Sequence, residues 1–242
     1  SRAEMDGRHA RAREMMAAQN LAALVITCET NVQYFAGTSA SLALYQSLTR
    51  PTVFILPLEG EPVVITQGGD SLELSSDVKD VRAYTGLLKF PSEMIVDALG
   101  ERGAAGKRVG VELGQEQRME MPVGDYLEVV AAMPDTEFVD AAQIILTLRR
   151  VKSPAEVDHV REAAVITGRA RQRLFGQLRP GMTEREIARD MRRLILEEGG
   201  DDTGFVIFQH TPPGGGNPDH YDRPMEEGAL LALDTGARVG MY

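Results

Sequence analysis

Hydrophobic and polar positions follow two different periods along the first 150 residues. The stretch RHARAREMMAAQN has the composition of an amphipathic helix, and LAALVIT follows it as a short apolar run typical of a buried strand. Two β-branched runs flank the turn-forming PLEGEP in TVFILPLEGEPVVIT, which predicts a hairpin. KRVGVEL predicts a further strand. Because strands alternate with helices, the pattern indicates an α/β layer architecture.

Two more stretches of this region predict helices. SEMIVDALGER reads as a helix with Ser92 as its N-cap and Gly100 near its end. TEFVDAAQIILTLRRV runs from a strand-like segment into a helix. We therefore expect helices to flank a sheet formed by the predicted strands.

The pattern changes character close to residue 150. Ser153 followed by Pro154 is a helix start, with serine as the cap and proline at the first helical position. Spacing then predicts that Val157, Val160 and Ala164 share one helical face.

A second helix follows and leads into two strands. Thr183 and Glu186 form a capping-box pattern, and the apolar stripe behind it contains Ile187, Met191, Leu194 and Ile195. GFVIFQ and ALLALDTG then read as strands on either side of a proline- and glycine-rich loop. We place the domain boundary at the change in pattern, which gives one domain over 1–150 and a second over 151–242.

Composition narrows the function classes. Hydrophobic residues make up 43% and charged residues 26% of the 242 positions, as in globular proteins. The net charge of −10 argues against nucleic-acid binding, since phosphates require clustered lysine and arginine. No apolar run reaches the roughly 20 residues of a membrane span, and the N-terminus lacks a signal-type apolar core. A single cysteine, Cys28, predicts a buried thiol and a reducing cytoplasm.

Asp234 is the strongest candidate for chemistry. It follows the apolar ALLAL and is expected at or near the end of a buried strand, where an ionised carboxylate requires a metal, a cation or several donors. The alternative is structural, because Asp-Thr-Gly is also good turn chemistry. Local spacing alone favours the turn.

The four histidines differ in how well their positions suit a functional site. His220 follows a proline-rich loop and could act as a hydrogen-bond or acid–base group at a site mouth, or be an exposed loop residue. His210 could flank the same pocket, although a surface position is favoured. We expect His159 and His9 to be solvated.

Four segments, in order, resemble the two-domain pita-bread metallopeptidase family of Xaa-Pro dipeptidases, aminopeptidase P and creatinase. NVQYFAGTS is similar to the family's Asn-x-x-Tyr-x-x-Gly segment. LRRVKSPAEVDHVREAAVITGRA resembles its interdomain junction and LRPGMTEREIARDMRRLILEEGG its Pro-Gly-x-Thr-Glu helix. GNPDHYDRPMEEGALLALDTGARVGMY resembles the segment with the active-site His-Tyr and the first metal-binding aspartate. The resemblance implies a creatinase-type mixed sheet with flanking helices, followed by the first half of an α+β pita-bread domain.

The same resemblance assigns roles to two residues. His220 matches the histidine that contacts substrate, and Asp234 matches the first of five ligands that hold two Mn, Co or Zn ions. The family's other four ligands would lie beyond Tyr242, so we expect this chain to be an inactive fragment without its metal rather than a natural short form. The family also implies a homodimer.

Three functions remain open. The first is a metal-dependent Xaa-Pro peptidase acting on small peptides. The second is a creatinase-like or ectoine-hydrolase-like enzyme that cleaves another C–N bond in a small amide, which in creatinase needs no metal. The third is a non-catalytic, oligomerising protein.

Overall fold

The computed structural model describes residues 2–37, 50–68, 78–215, 223–240 and 242. The chain divides into two compact units, Ser1–Val151 and Lys152–Tyr242. Across the described ranges, none of the helices combines the length and apolar character that a bilayer crossing requires.

A six-stranded mixed sheet forms the centre of the first unit. Its strand order is β4-β3-β2-β1-β5-β6, in which β2 is antiparallel to both β1 and β3 and the other neighbours are parallel. The predicted hairpin is β2–β3, and the predicted mixed sheet with flanking helices is confirmed. The described elements are α1 (Arg2–Ala18), β1 (Leu21–Ile26), α2 (Glu29–Ala36), β2 (Val53–Pro57), β3 (Val63–Gln67), β4 (Asp80–Tyr84), α3 (Glu93–Glu101), β5 (Arg108–Val111), α4 (Val123–Ala132), β6 (Glu137–Asp140) and α5 (Ala142–Arg150).

Helices cover both faces of this sheet, which explains why its central strands are apolar without alternation. Alternate strand residues on one face join α3 and α4 in a single core. On the other face, the Phe54 ring lies 5.7 Å from the Phe35 ring of α2. The strand residues of the first face are Ala23, Val25, Val53, Ile55, Val63, Ile65, Val109 and Val111.

His9 belongs to the second face, so the prediction that it is solvated is wrong. Its side chain is buried on α1, its Nε2 donates to the Phe35 carbonyl oxygen at 2.7 Å, and its ring lies 5.6 Å from that of Phe54. Burial lowers the pKa of His9 below its ordinary value. The helical periodicity of α1 places this position towards the sheet, and packing overrides the polar character of the side chain.

The start of α3 also differs from the prediction. Ser92 has helical backbone angles of φ −56° and ψ −29°, and its side chain makes no capping bond. Its Oγ instead donates to the Asp125 carbonyl oxygen on α4 at 3.2 Å. The helix continues through Gly100 and ends at Glu101. Ser92 therefore occupies the predicted N-cap position of α3, but its side chain joins two helices instead of capping one.

The second unit contains two helices and an antiparallel strand pair. The capping box predicted at Thr183 and the N-cap predicted at Ser153 are both confirmed, and Ser153 forms a full capping box as well. The Ser153 and Thr183 side chains accept from Glu156 N and Glu186 N, each at 3.2 Å. The described elements are α6 (Pro154–Phe175), α7 (Glu184–Glu197), β7 (Asp202–Thr211) and β8 (Leu230–Arg238).

The two helices differ in whether the apolar residues singled out in the sequence are buried. The predicted stripe of α7 is confirmed, because Ile187, Met191, Leu194 and Ile195 are each 0% exposed. The three residues predicted to share a face of α6 are all exposed, with Val157 at 41% and Val160 at 45%, so the face that they form is not the packed one. The buried positions of α6 are instead Glu156, Ala163, Ile166, Ala170 and Leu174.

Candidate functional site

The strand pair β7–β8 has one face packed on helices and one face open to solvent. In the register, Ile207 lies opposite Asp234 and His210 opposite Leu231. Because side chains alternate between faces, Phe208 and His210 are buried while Ile207 is 52% exposed. The two faces of the same strand pair thus differ in solvent exposure: one is buried and the other is accessible.

Asp234 lies on the open face, in the middle of β8. Neither of its predicted settings is correct: the residue is exposed rather than at the end of a buried strand, and Asp-Thr-Gly continues the strand rather than forming a turn. Ile207 opposite it is exposed, as is nearby Phe205 at 48%. No described residue makes a hydrogen bond or ion pair with the Asp234 carboxylate. The carboxylate is therefore accessible from solvent.

The fit of a metal to this region is partial. A carboxylate is a suitable ligand for a divalent cation, and Asp234 offers one. Within the described ranges, however, no group of three or more His, Cys, Asp or Glu side chains is placed to hold an ion. His220 lies outside the described residues, in the range 216–222. The described residues alone therefore supply one ligand and no complete metal site.

The packed face contains a polar pair that the sequence analysis missed. The favoured surface position of His210 is wrong, because the residue is 1% exposed. Glu184, the first residue of α7, is also buried, and its Oε1 accepts from His210 N at 3.0 Å and from His210 Nδ1 at 3.1 Å. The alternation of GFVIFQH, which puts His210 in phase with Phe208, could have predicted burial. Nothing in the local sequence indicates Glu184 as its partner.

A second missed cluster surrounds the N-terminus of α2 in the first unit. Glu112, directly after β5, is 3% exposed, and its Oε2 accepts from Thr27 N at 2.7 Å and from Cys28 N at 2.9 Å. Its Oε1 accepts from Asn31 Nδ2 at 2.7 Å. Burial raises the pKa of Glu112, and the hydrogen bonds from Asn31, Thr27 and Cys28 oppose that rise. A helix N-terminus that could hold an external anion is thus filled by the chain's own carboxylate.

Neighbouring side chains complete this cluster. Glu120 Oε2 accepts from Glu29 N at 2.7 Å, and Arg149 of α5 donates to Asn31 Oδ1 at 2.7 Å. Cys28 is buried as predicted, and burial raises the pKa of its thiol, which favours the unreactive protonated form. The cluster joins α2, β5 and α5, and we assign it a structural role.

Two family models match the chain. The Creatinase/Prolidase N-terminal domain covers residues 8–151, and Metallopeptidase family M24 covers residues 158–242. The first match alone includes more than half of the chain. The second includes both Asp234 and the Glu184–His210 pair.

Curated relatives are similar over most of the chain. A Mycobacterium tuberculosis protein named "Probable dipeptidase PepE" is 29% identical over 229 residues, which is 91% of this chain and 56% of the relative. Creatinase from a Bacillus species is 26% identical over 100% of this chain and 59% of its own length. The chain therefore spans little more than half the length of these relatives.

Solved structures agree with the fold. Dipeptidase PepE from Mycobacterium ulcerans has a TM-score of 0.71 and 28% identity, covering 97% of this chain and 61% of that chain. An Xaa-Pro dipeptidase from Bacillus anthracis has a TM-score of 0.75 and 19% identity, covering 96% and 61%. Both family models fall on the segments whose order suggested the resemblance. The chain belongs to the pita-bread M24 metallopeptidase family, with a creatinase/prolidase-type N-terminal domain.

Proposed function

We propose that this protein is a metal-dependent hydrolase that cleaves Xaa-Pro peptides. The observation that carries the proposal is the accessible Asp234 carboxylate on the open face of β8, which no described residue bonds and which lies within the segment matched by the M24 model. Dipeptidase names among the relatives support a small peptide as substrate.

Within this proposal, two residues have roles. Asp234 is one ligand of a divalent cation, Mn, Co or Zn, and His220 contacts the substrate near the scissile bond. In hydrolases of this kind, a bound cation activates water and polarises the substrate carbonyl. The remaining ligands are not among the described residues, so we assign no catalytic step to them.

The product of the complete gene is the protein to test. We expect it to bind Mn, Co or Zn and to hydrolyse Ala-Pro or Leu-Pro. Asp234→Asn should lower metal content and reduce kcat/KM by about 100-fold or more, because a neutral amide is a poorer ligand than a carboxylate. Asp158→Asn is the matched control: Asp158 is an exposed aspartate on α6, and its loss should leave both properties unchanged. A metal-loaded protein that cleaves none of the Xaa-Pro panel would refute the peptidase assignment.

A creatinase-type C–N hydrolase is the second candidate. It is supported by 26% identity to a creatinase over the whole of this chain. A panel of small amides, assayed with and without chelator, separates the two. Hydrolysis of an amide that survives complete metal removal would favour the creatinase-type reaction, whereas strict metal dependence with Xaa-Pro substrates would favour the peptidase.

The proposed function also includes an oligomeric state and a cellular location. We propose a homodimer in the cytoplasm, the latter supported by a single, buried cysteine. Sizing of the purified protein tests the dimer. A defined oligomer that binds no metal and hydrolyses neither panel would favour the non-catalytic alternative.

A further inference from the structure

The start of α7 contains a buried carboxylate that the helix itself does not need. The Thr183 side chain and Glu186 already satisfy each other's backbone amides in the capping box. Glu184 is only 6% exposed and directs its Oε1 towards β7, where it accepts two hydrogen bonds from His210. Burying an ionised carboxylate is costly unless donors compensate. Its contacts therefore point to a role in holding β7.

The two hydrogen bonds restrain both the backbone and the ring of His210. The backbone amide holds the strand one residue before its end, at Thr211. Donation from Nδ1 to a carboxylate fixes the ring orientation and directs Nε2 to the opposite side of the ring. Within the described part of the chain, this buried Nε2 has no hydrogen-bond partner.

Residues 181–183, directly before Glu184, also bond to residues 224 and 225, which precede β8. Met225 N donates to the Met182 carbonyl oxygen at 2.8 Å, and Gly181 N donates to the Met225 carbonyl oxygen at 2.8 Å. Thr183 forms an isolated antiparallel bridge with Pro224. Residues 181–184 thus contact both flanks of the segment that contains His220 in the sequence.

His210 is also coupled to Asp234 through the strand pair. His210 lies opposite Leu231 of β8, and Asp234 follows Leu231 by three residues on that strand. A shift of β7 relative to α7 would therefore move β8 and its exposed carboxylate. Displacements of about 1 Å in a positioned group can reduce activity by about 100-fold.

We propose that Glu184 and His210 are positioning residues for the hydrolytic site. Glu184 fixes the end of β7, and thereby fixes the Asp234 carboxylate on the paired strand β8. This inference rests on the proposed function for its catalytic consequence. The anchoring contact itself is testable without any activity.

Amide hydrogen exchange tests the anchor. In Glu184→Ala, the backbone amide of His210 should exchange about tenfold faster than in wild type, because its acceptor is lost. Glu184→Gln should give a smaller increase, since its neutral oxygen can still accept. Glu186→Gln is the matched control on the same helix turn, and glutamine also suits a capping box. Unchanged exchange at His210 in Glu184→Ala would overturn the proposal.

Kinetics of the complete gene product test the positioning role. Glu184→Ala should lower kcat by about tenfold while KM changes less than twofold, as expected for a residue that orients others. His210→Asn keeps a donor near the Nδ1 position and should retain most activity, whereas His210→Leu should not. If the His210 amide exchanges faster in Glu184→Ala but kcat is unchanged, the pair has only a structural role and the positioning proposal is overturned. Equal losses in His210→Asn and His210→Leu would also contradict positioning through Nδ1.

The two proposals can fail separately. If wild type hydrolyses neither substrate panel, the proposed function fails and the catalytic role of the pair fails with it, while exchange still decides the anchor. If wild type is active and both Glu184 variants match it, only the positioning proposal is overturned. Should Glu184→Ala not fold, Glu184→Gln and His210→Asn provide the same comparison.

Discussion

Two carboxylates associated with strands, Glu112 in the first unit and Asp234 in the second, have opposite surroundings. Glu112 is 3% exposed and accepts hydrogen bonds from Thr27, Cys28 and Asn31. Asp234 is exposed, and no described residue bonds to its side chain. The Glu112 carboxylate is thus bonded within the fold, whereas the Asp234 carboxylate remains accessible to a ligand.

The difference follows from how each sheet is covered. The six-stranded sheet has helices on both faces, so a carboxylate at a strand end must obtain its donors from the chain itself. Among the described residues, helices pack on one face of the β7–β8 pair, and water can satisfy a side chain on the other. Burial alone therefore does not identify a functional acid. An accessible acid that no described residue bonds, in a segment matched by a metallopeptidase model, is the better candidate.

Removing the buried carboxylate should have the largest effect on stability. Glu112→Ala leaves the Thr27 amide, the Cys28 amide and the Asn31 side chain without their acceptor. We expect the free energy of unfolding to fall by about 4 kcal/mol, measured by urea denaturation. Glu137→Ala is the control, because Glu137 makes an exposed ion pair with Arg108 that should contribute under about 1 kcal/mol. Similar losses in both variants would contradict a structural role for the cluster.

A core truncation in the second unit should rank next. Ile187→Ala removes a side chain that is 0% exposed on α7 and should cost about 3 kcal/mol. Val160→Ala removes an apolar side chain that is 45% exposed on α6 and should cost about 0.5 kcal/mol or less. The same denaturation measurement compares them. A large loss at Val160 would mean that its face of α6 is covered in the protein.

The buried histidine should make stability depend on pH. Because burial lowers the pKa of His9, the folded state favours the neutral ring. Its contribution is present above the unfolded pKa of about 6.5 and is lost as pH falls through the folded pKa. His9→Gln keeps a donor for the Phe35 carbonyl oxygen but does not titrate. Melting from pH 8 to pH 5 should therefore destabilise wild type more than the variant, by less than the Ile187→Ala effect; parallel curves would contradict this.

The exposed carboxylate should have the smallest effect on folding. Asp234→Asn should change the free energy of unfolding by less than about 0.5 kcal/mol, since it breaks no contact with a described residue. Combined with a large loss of metal binding in the complete protein, this result would separate function from stability. A loss above about 2 kcal/mol would show instead that Asp234 supports the fold.

Local patterns predicted the elements well and the partners of polar side chains poorly. The N-cap predicted at Ser153 and the capping box predicted at Thr183 are confirmed, because each depends only on residues within four positions of one another. Ser92 failed because its hydroxyl bonds to the Asp125 carbonyl oxygen of another helix, which no local pattern reports. His9 and His210 failed for the same reason, since their burial depends on the surfaces packed against them. The α6 residues Val157 and Ala164 are not buried because the packed face lies one residue earlier, at Glu156 and Ala163, and both faces have the same periodicity.

By itself, the sequence determined the mixed α/β unit, the two capped helices, the strand pair and the resemblance that the family models confirm. These features depend on short-range propensity and on the order of motifs along the chain. Only the tertiary structure decided that Asp234 faces solvent, that Glu112 is enclosed and that Glu184 holds His210. Each of these depends on contacts between residues far apart in sequence, where burial and hydrogen-bond partners are set by packing.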